Sequence, residues 1–175
     1  MNGQAQTRWQ VAAGDILDLN ADVLVCSANP WLNLSGGVGG ALALRYGPAM
    51  QGFLHTELAV RGVKWLPAGT VLVAPACGTP YRAVVHAVGV DPTYQSSMAT
   101  VTTAVESALA AAAQFGSHIT LTAIGTGYGP LSLKQFGEAM LPLMKRDWGA
   151  IRQITIGVRH DDEAAELRGI LGVKG

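Results

Sequence analysis

Short apolar runs alternate along the chain with longer stretches whose apolar residues recur at helical spacing. Six runs read as strands: WQVAA at 9–13, DVLVCSAN at 22–29, TVLVAPA at 70–76, AVVHAVG at 83–89, HITLTAIG at 118–125 and QITIGVR at 153–159. Several are apolar at nearly every position instead of every second one. That pattern belongs to strands covered on both faces. Helices are expected over about 38–60, 97–115, 132–147 and 162–171. In the second, Val101, Val105, Leu109, Ala112 and Phe115 share one face, with Ser97 placed to cap its start and Gly116 to stop it. The third opens with SLKQ, a capping box with Ser132 at the cap and Gln135 at the third helical position. Pro142 within it predicts a kink. Strands interleaved with helices define an α/β chain. The expected fold is a three-layer α/β/α sandwich around a mixed, largely parallel central sheet. Ligands of such sheets bind beyond the carboxyl ends of the strands.

Composition narrows this picture. The 175 residues suit one domain over 1–175, with a core from about 9 to 171. With 49% hydrophobic and 14% charged residues the chain is set to bury a core. Twelve basic and twelve acidic residues cancel, so no bulk attraction to nucleic acid or to an anionic membrane is expected. The first ten residues, MNGQAQTRWQ, hold no apolar signal-peptide core, and no run approaches the roughly 18 residues of a membrane span. Cys26 and Cys77 lie in apolar, strand-like runs and read as buried, reduced thiols of a cytoplasmic protein. The two Cys and four His show no metal-ligand spacing, so neither a metal nor a cofactor is expected.

Two glycine-rich loops carry the chemistry. The first, Ser35-Gly36-Gly37-Val38-Gly39-Gly40, precedes a small-residue helix. Glycines let a ligand touch the backbone, and a helix start offers free N–H groups with about half a positive charge. The spacing matches neither a dinucleotide fingerprint, since Leu42 stands where the third small residue belongs, nor a P-loop, since no Gly-Lys-Ser/Thr follows. The second loop, Gly125-Thr126-Gly127-Tyr128-Gly129-Pro130, repeats that logic. Each loop alone reads equally as a tight turn; two on one sheet edge suggest a diphosphate held between them. Asp15, in Gly-Asp-Ile after the first strand, is placed to accept from an exocyclic amine or to cap a turn. Asn29 ends the second strand and can bind a sugar hydroxyl or close an Asx-turn before Pro30. His86, alone in an apolar strand, reads as a core residue more readily than as a catalyst.

In order, GDI (14–16), VCSAN (25–29), SGGV (35–38), VVHAVG (84–89) and IGTGYG (124–129) resemble the motifs of the macrodomain family, over about residues 9–170. The second loop, of Gly-Thr-Gly-x-Gly form, resembles that of stand-alone bacterial members. The resemblance implies an α/β/α fold that binds ADP-ribose or a derivative, free or carried on a protein. Asp15 would hold the adenine amino group, with the Ile16 backbone beside it. Ser35, Gly36, Gly37, Val38 and Gly39 would surround the distal ribose and diphosphate, and Gly125, Thr126, Gly127 and Tyr128 would form the second phosphate loop. Asn29 would bond the distal ribose and carry any catalytic part, and Arg159 would stack on adenine or simply lie on the surface. Three departures stand out. Cys26 occupies the place of a first asparagine, Gly39 that of an aspartate which helps activate water in hydrolytic members, and the second loop is one residue shorter. Gly39 favours binding over hydrolysis. The alternatives are a hydrolase of ADP-ribosylated targets or of O-acetyl-ADP-ribose in the same cleft, and a binder of another nucleotide diphosphate.

Overall fold

The computed structural model describes residues 6–174. Residues 1–5, half of the ten on which the signal-peptide expectation rests, lie outside the described residues. Six strands, β1 (Arg8–Ala13), β2 (Val23–Ala28), β3 (Val71–Pro75), β4 (Ala83–Val88), β5 (His118–Thr122) and β6 (Gln153–Val158), form one sheet in the order β1-β6-β5-β2-β4-β3. All pairings are parallel except β3 with β4, which makes the sheet mixed and largely parallel. Among the described residues five helices cover it: α1 (Gly37–Tyr46), α2 (Ala49–Val60), α3 (Met98–Ala112), α4 (Leu133–Met144) and α5 (Asp161–Leu171). Alternate side chains of one strand feed two cores. Val23 and Val25 of β2 pack with α3, α4 and α5, whereas Leu24 and Cys26 pack with α1 and α2. This double burial is why the strand reads as a continuous apolar run. Among the described residues no helix is long and apolar enough to cross a membrane.

The helix signals hold where they are local. Ser97 Oγ accepts from the Thr100 N–H at 3.1 Å. At the start of α4 both halves of the capping box form, Gln135 N–H to Ser132 Oγ at 3.1 Å and Ser132 N–H to Gln135 Oε1 at 2.9 Å. Pro142 falls in the last turn of α4, where its missing N–H costs one hydrogen bond without breaking the helix.

Four expectations need correction. The helix expected over 38–60 is two helices. Gly47, at φ +85°, ends α1, and Pro48 disfavours continuing the helix through the residue before it. The second helix stops at Ala112, so Phe115 lies in the turn beyond it and is partly exposed. Gly116 does not take the left-handed conformation of a helix stop; a Cβ there would sit 2.2 Å from Asp22 Cβ, so close packing explains it. Cys77 lies past the end of β3 in a turn at φ +48° and is only half-buried.

Candidate functional site

β2 pairs with β5 only over Val23–Val25, then continues along β4 to Ala28, while β5 runs on beside β6. The two strands therefore part at their carboxyl ends, at the point where the sheet order changes direction. The N–H of Ser27, left without a strand partner there, donates to Thr122 Oγ1 at 2.9 Å. A cleft of about 1170 Å³ opens above this gap and runs over the ends of β1, β6, β5 and β2. Asp15, Ile16, Asn29, Ser35, Gly36, Gly37, Val38, Gly39, Gly125, Thr126, Gly127, Tyr128 and Arg159 all line it.

At one end Asp15 caps a short 3-10 turn, Ile16–Asp18, with Oδ1 accepting from Leu17 N–H at 2.9 Å. Its Oδ2 accepts from Arg45 of α1 at 2.8 Å, and the same guanidinium reaches Asp18 Oδ1 at 2.8 Å. The turn-forming role and the cleft-lining position thus belong to one carboxylate. Ile16 packs against Gly157 of β6, where a Cβ would come within 2.8 Å of it. Arg159 stands just before α5; its N–H and that of His160 donate to Glu163 Oε2, both at 3.1 Å. Glu163 also lines the cleft, and nothing in the sequence pattern had singled it out.

The middle is backbone. Gly36, at φ +70°, is the cap of α1 and supplies no side-chain hydrogen bond to it. Among the described residues the N–H groups of Gly37, Val38 and Gly39 have no partner, as expected of an uncapped first turn. The second loop is closed by Leu131 N–H to Gly125 C=O at 3.1 Å and by Thr126 Oγ1 to Ala123 C=O at 2.7 Å. That closure leaves the N–H groups of Gly127, Tyr128 and Gly129 without partners among the described residues. Tyr128 joins the two loops: a Cβ on Gly36 would lie 2.4 Å from its hydroxyl oxygen. Arg159 is the one basic side chain among the described residues that line the cleft, apart from histidine. Backbone dipoles thus supply the positive potential of the middle stretch.

At the other end Asn29 closes its own loop. Its Oδ1 accepts from Asn33 N–H at 3.1 Å and its Nδ2 donates to Asn33 C=O at 2.8 Å, a longer closure than the Asx-turn considered from sequence. Gln51 of α2 braces the same loop at Leu32 C=O and Leu34 N–H. Gly39 packs on that loop, with Leu34 Cα 3.4 Å from where a Cβ would stand. Tyr94, at φ +59°, also lines this part of the molecule and packs on Trp31 with ring centroids 6.3 Å apart. Cys26 keeps a polar contact, its Sγ 3.3 Å from His86 Nδ1. Burial pushes the Cys26 thiol up to about 12 and holds the His86 imidazole down to about 4, so both are neutral at physiological pH. His86 borders the cleft, but its Nε2 is buried and has no partner among the described residues.

A family model described as Macro domain matches residues 25–140. A macro domain-containing protein of Streptomyces griseus is 36% identical over 123 residues, which is 69% of this chain and 70% of that protein. The O-acetyl-ADP-ribose deacetylase of Escherichia coli (strain K12) is 42% identical over 85 residues, 48% of this chain and 46% of the enzyme, so the match spans under half of that relative. Among solved structures, the Oceanobacillus iheyensis macrodomain with ADP superposes with a TM-score of 0.81 at 21% identity, over 95% of this chain and 91% of that one. The Trypanosoma brucei macrodomain in complex with ADP-ribose gives 0.78 at 22%, over 97% and 72%. These likenesses extend over the sheet, its helices and the loops at the strand ends, and the chain belongs to the macro domain family.

Proposed function

We propose that the cleft binds ADP-ribose or a derivative of it, free or carried on a protein, as the task of one domain in the cytoplasm. The carrying observation is the order of groups along the cleft. A fixed carboxylate, Asp15, stands at one end, two sets of unpartnered N–H groups face the middle, and Asn29 lies at the other end. Adenine's amino group suits the carboxylate, a diphosphate suits the paired amides, and the distal ribose suits the Asn29 end. The Trypanosoma brucei macrodomain, similar in fold, is a complex with ADP-ribose, which supports this class of ligand. Titration calorimetry with ADP-ribose, ADP and AMP tests it. ADP-ribose should bind tightest; equal affinity for all three would leave the distal end without a role and favour a general nucleotide diphosphate site.

Hydrolysis of ADP-ribose esters or of mono-ADP-ribosylated targets is the second reading, favoured by the likeness to the Escherichia coli deacetylase. Against it stands the distribution of ionisable groups. Among the described cleft residues the carboxylates are Asp15 and Glu163, both at the Arg159 end, and Gly39 has no side chain to serve as a base near Asn29. A deacylation and de-ADP-ribosylation assay should show no turnover. Turnover that Asn29→Ala abolishes would establish the hydrolase instead.

A further inference from the structure

Arg45 is in none of the motifs that mark the cleft, and neither it nor Asp18 lines it. Its guanidinium nevertheless makes two contacts of 2.8 Å, to Asp15 Oδ2 and Asp18 Oδ1. With Leu17 N–H on Oδ1, both oxygens of the cleft carboxylate are held in direction. An ionised carboxylate accepts about four hydrogen bonds, so each oxygen keeps an acceptor site for a ligand. The second anchor at Asp18 keeps the arginine on the carboxylates instead of turning toward an anionic ligand. Arg45 stands at the carboxyl end of α1, whose amino end supplies the unpartnered N–H groups of the first loop. One helix therefore ties the carboxylate to the amides.

We propose that Arg45 is a positioning residue for ligand recognition: through its fork to Asp15 and Asp18 it sets the Asp15 carboxylate, in register with the α1 amides, to receive the amino group of the base. The assignment rests on the ADP-ribose reading above. Holding a side chain in its bound geometry before the ligand arrives removes part of the ordering cost of binding. Calorimetry with ADP-ribose on the wild type, Arg45→Ala, Arg45→Lys, Asp18→Asn, Asp15→Ala and the Asp15→Ala/Arg45→Ala double variant tests it. Arg45→Ala should weaken binding by about three- to tenfold, and Asp18→Asn by a smaller factor though Asp18 lies outside the cleft. Lysine, a point charge without the fork, should restore binding only in part. In the Asp15→Ala background the loss of Arg45 should have no further effect on Kd. A helix-stabilising role alone would lower Tm and leave Kd unchanged. An unchanged Kd in Arg45→Ala, or an equal loss with and without Asp15, overturns the assignment while the functional reading stands. A wild type that does not bind ADP-ribose overturns both.

Discussion

Asp15 takes the turn-capping role, one of the two that the sequence offers for it, and does so from the cleft wall. Its Oδ1 caps the turn at Leu17, and the same carboxylate lines the cleft. Removing it should weaken ADP-ribose binding by about 1.5–3 kcal/mol, the scale of a hydrogen bond to a charged group, as read by calorimetry. An unchanged Kd would leave Asp15 a turn residue only. Gly36 carries a second prediction. Its φ of +70° disfavours any side chain, and a Cβ would meet the Tyr128 hydroxyl. Gly36→Val should push Tyr128 off the first loop and weaken ADP-ribose binding at least tenfold, an effect of about 1.4 kcal/mol or more. Adding Tyr128→Ala removes the clash but not the backbone strain, so the double variant should not recover wild-type affinity. At Gly37, by contrast, a Cβ meets no atom within 4 Å, and its φ of +54° is the constraint. The glycine pattern suggests a backbone site, but the surroundings of Gly36 depend on Tyr128, more than 90 residues away in the chain.

At the scale of elements, the strands and helix caps were legible because each signal lies within a few residues. The capping box of α4 needs only Ser132 and Gln135, and the apolar run of β2 needs only its own side chains. The apolar stretch continues across the Gly47–Pro48 break and masks it, although a Gly-Pro pair is a breaker signal. The role of Gly116 is not local, because its constraint comes from Asp22, just before another element. Asp22 joins the ends of β2 and β5: its Oδ2 accepts from Ser117 N–H at 2.8 Å and His118 N–H at 3.0 Å. Those bonds, His118 first, hold its carboxyl below the usual carboxylate range against the opposing effect of burial. A lowered carboxyl pKa contributes stability above the ordinary carboxylate pKa, and that contribution fades as pH falls through the folded value. Asp22→Asn should therefore lower stability at neutral pH by about 1–3 kcal/mol, and the difference from wild type should shrink in acid. Urea midpoints for the two proteins from neutral pH down to about pH 3 would show it, and a constant difference would reject it.

The whole molecule adds a pH dependence of its own. His86 is fully buried between β2 and β3, and burial lowers its pKa to about 4. An unfolded histidine titrates near 6.5, so between about pH 6.5 and pH 4 the unfolded chain takes up a proton that the folded one refuses. Stability should be full above that window and fall through it by up to about 3 kcal/mol, with no further loss from this group below it. A His86→Gln variant that folds should flatten the curve between those limits; an unflattened curve would assign the loss to other groups. The sequence by itself determined the strands, most of the helices and the fold class, because hydrophobic period and caps are local and report which face is buried. It could not name partners across the fold. That α1 ties Asp15 to Arg45, that Tyr128 rests on Gly36, and that Asn29 spends its amide on Asn33 were decided when the tertiary structure brought strand ends together at the parting of β2 and β5. Periodicity says that a side chain faces inward; only packing says what it meets there.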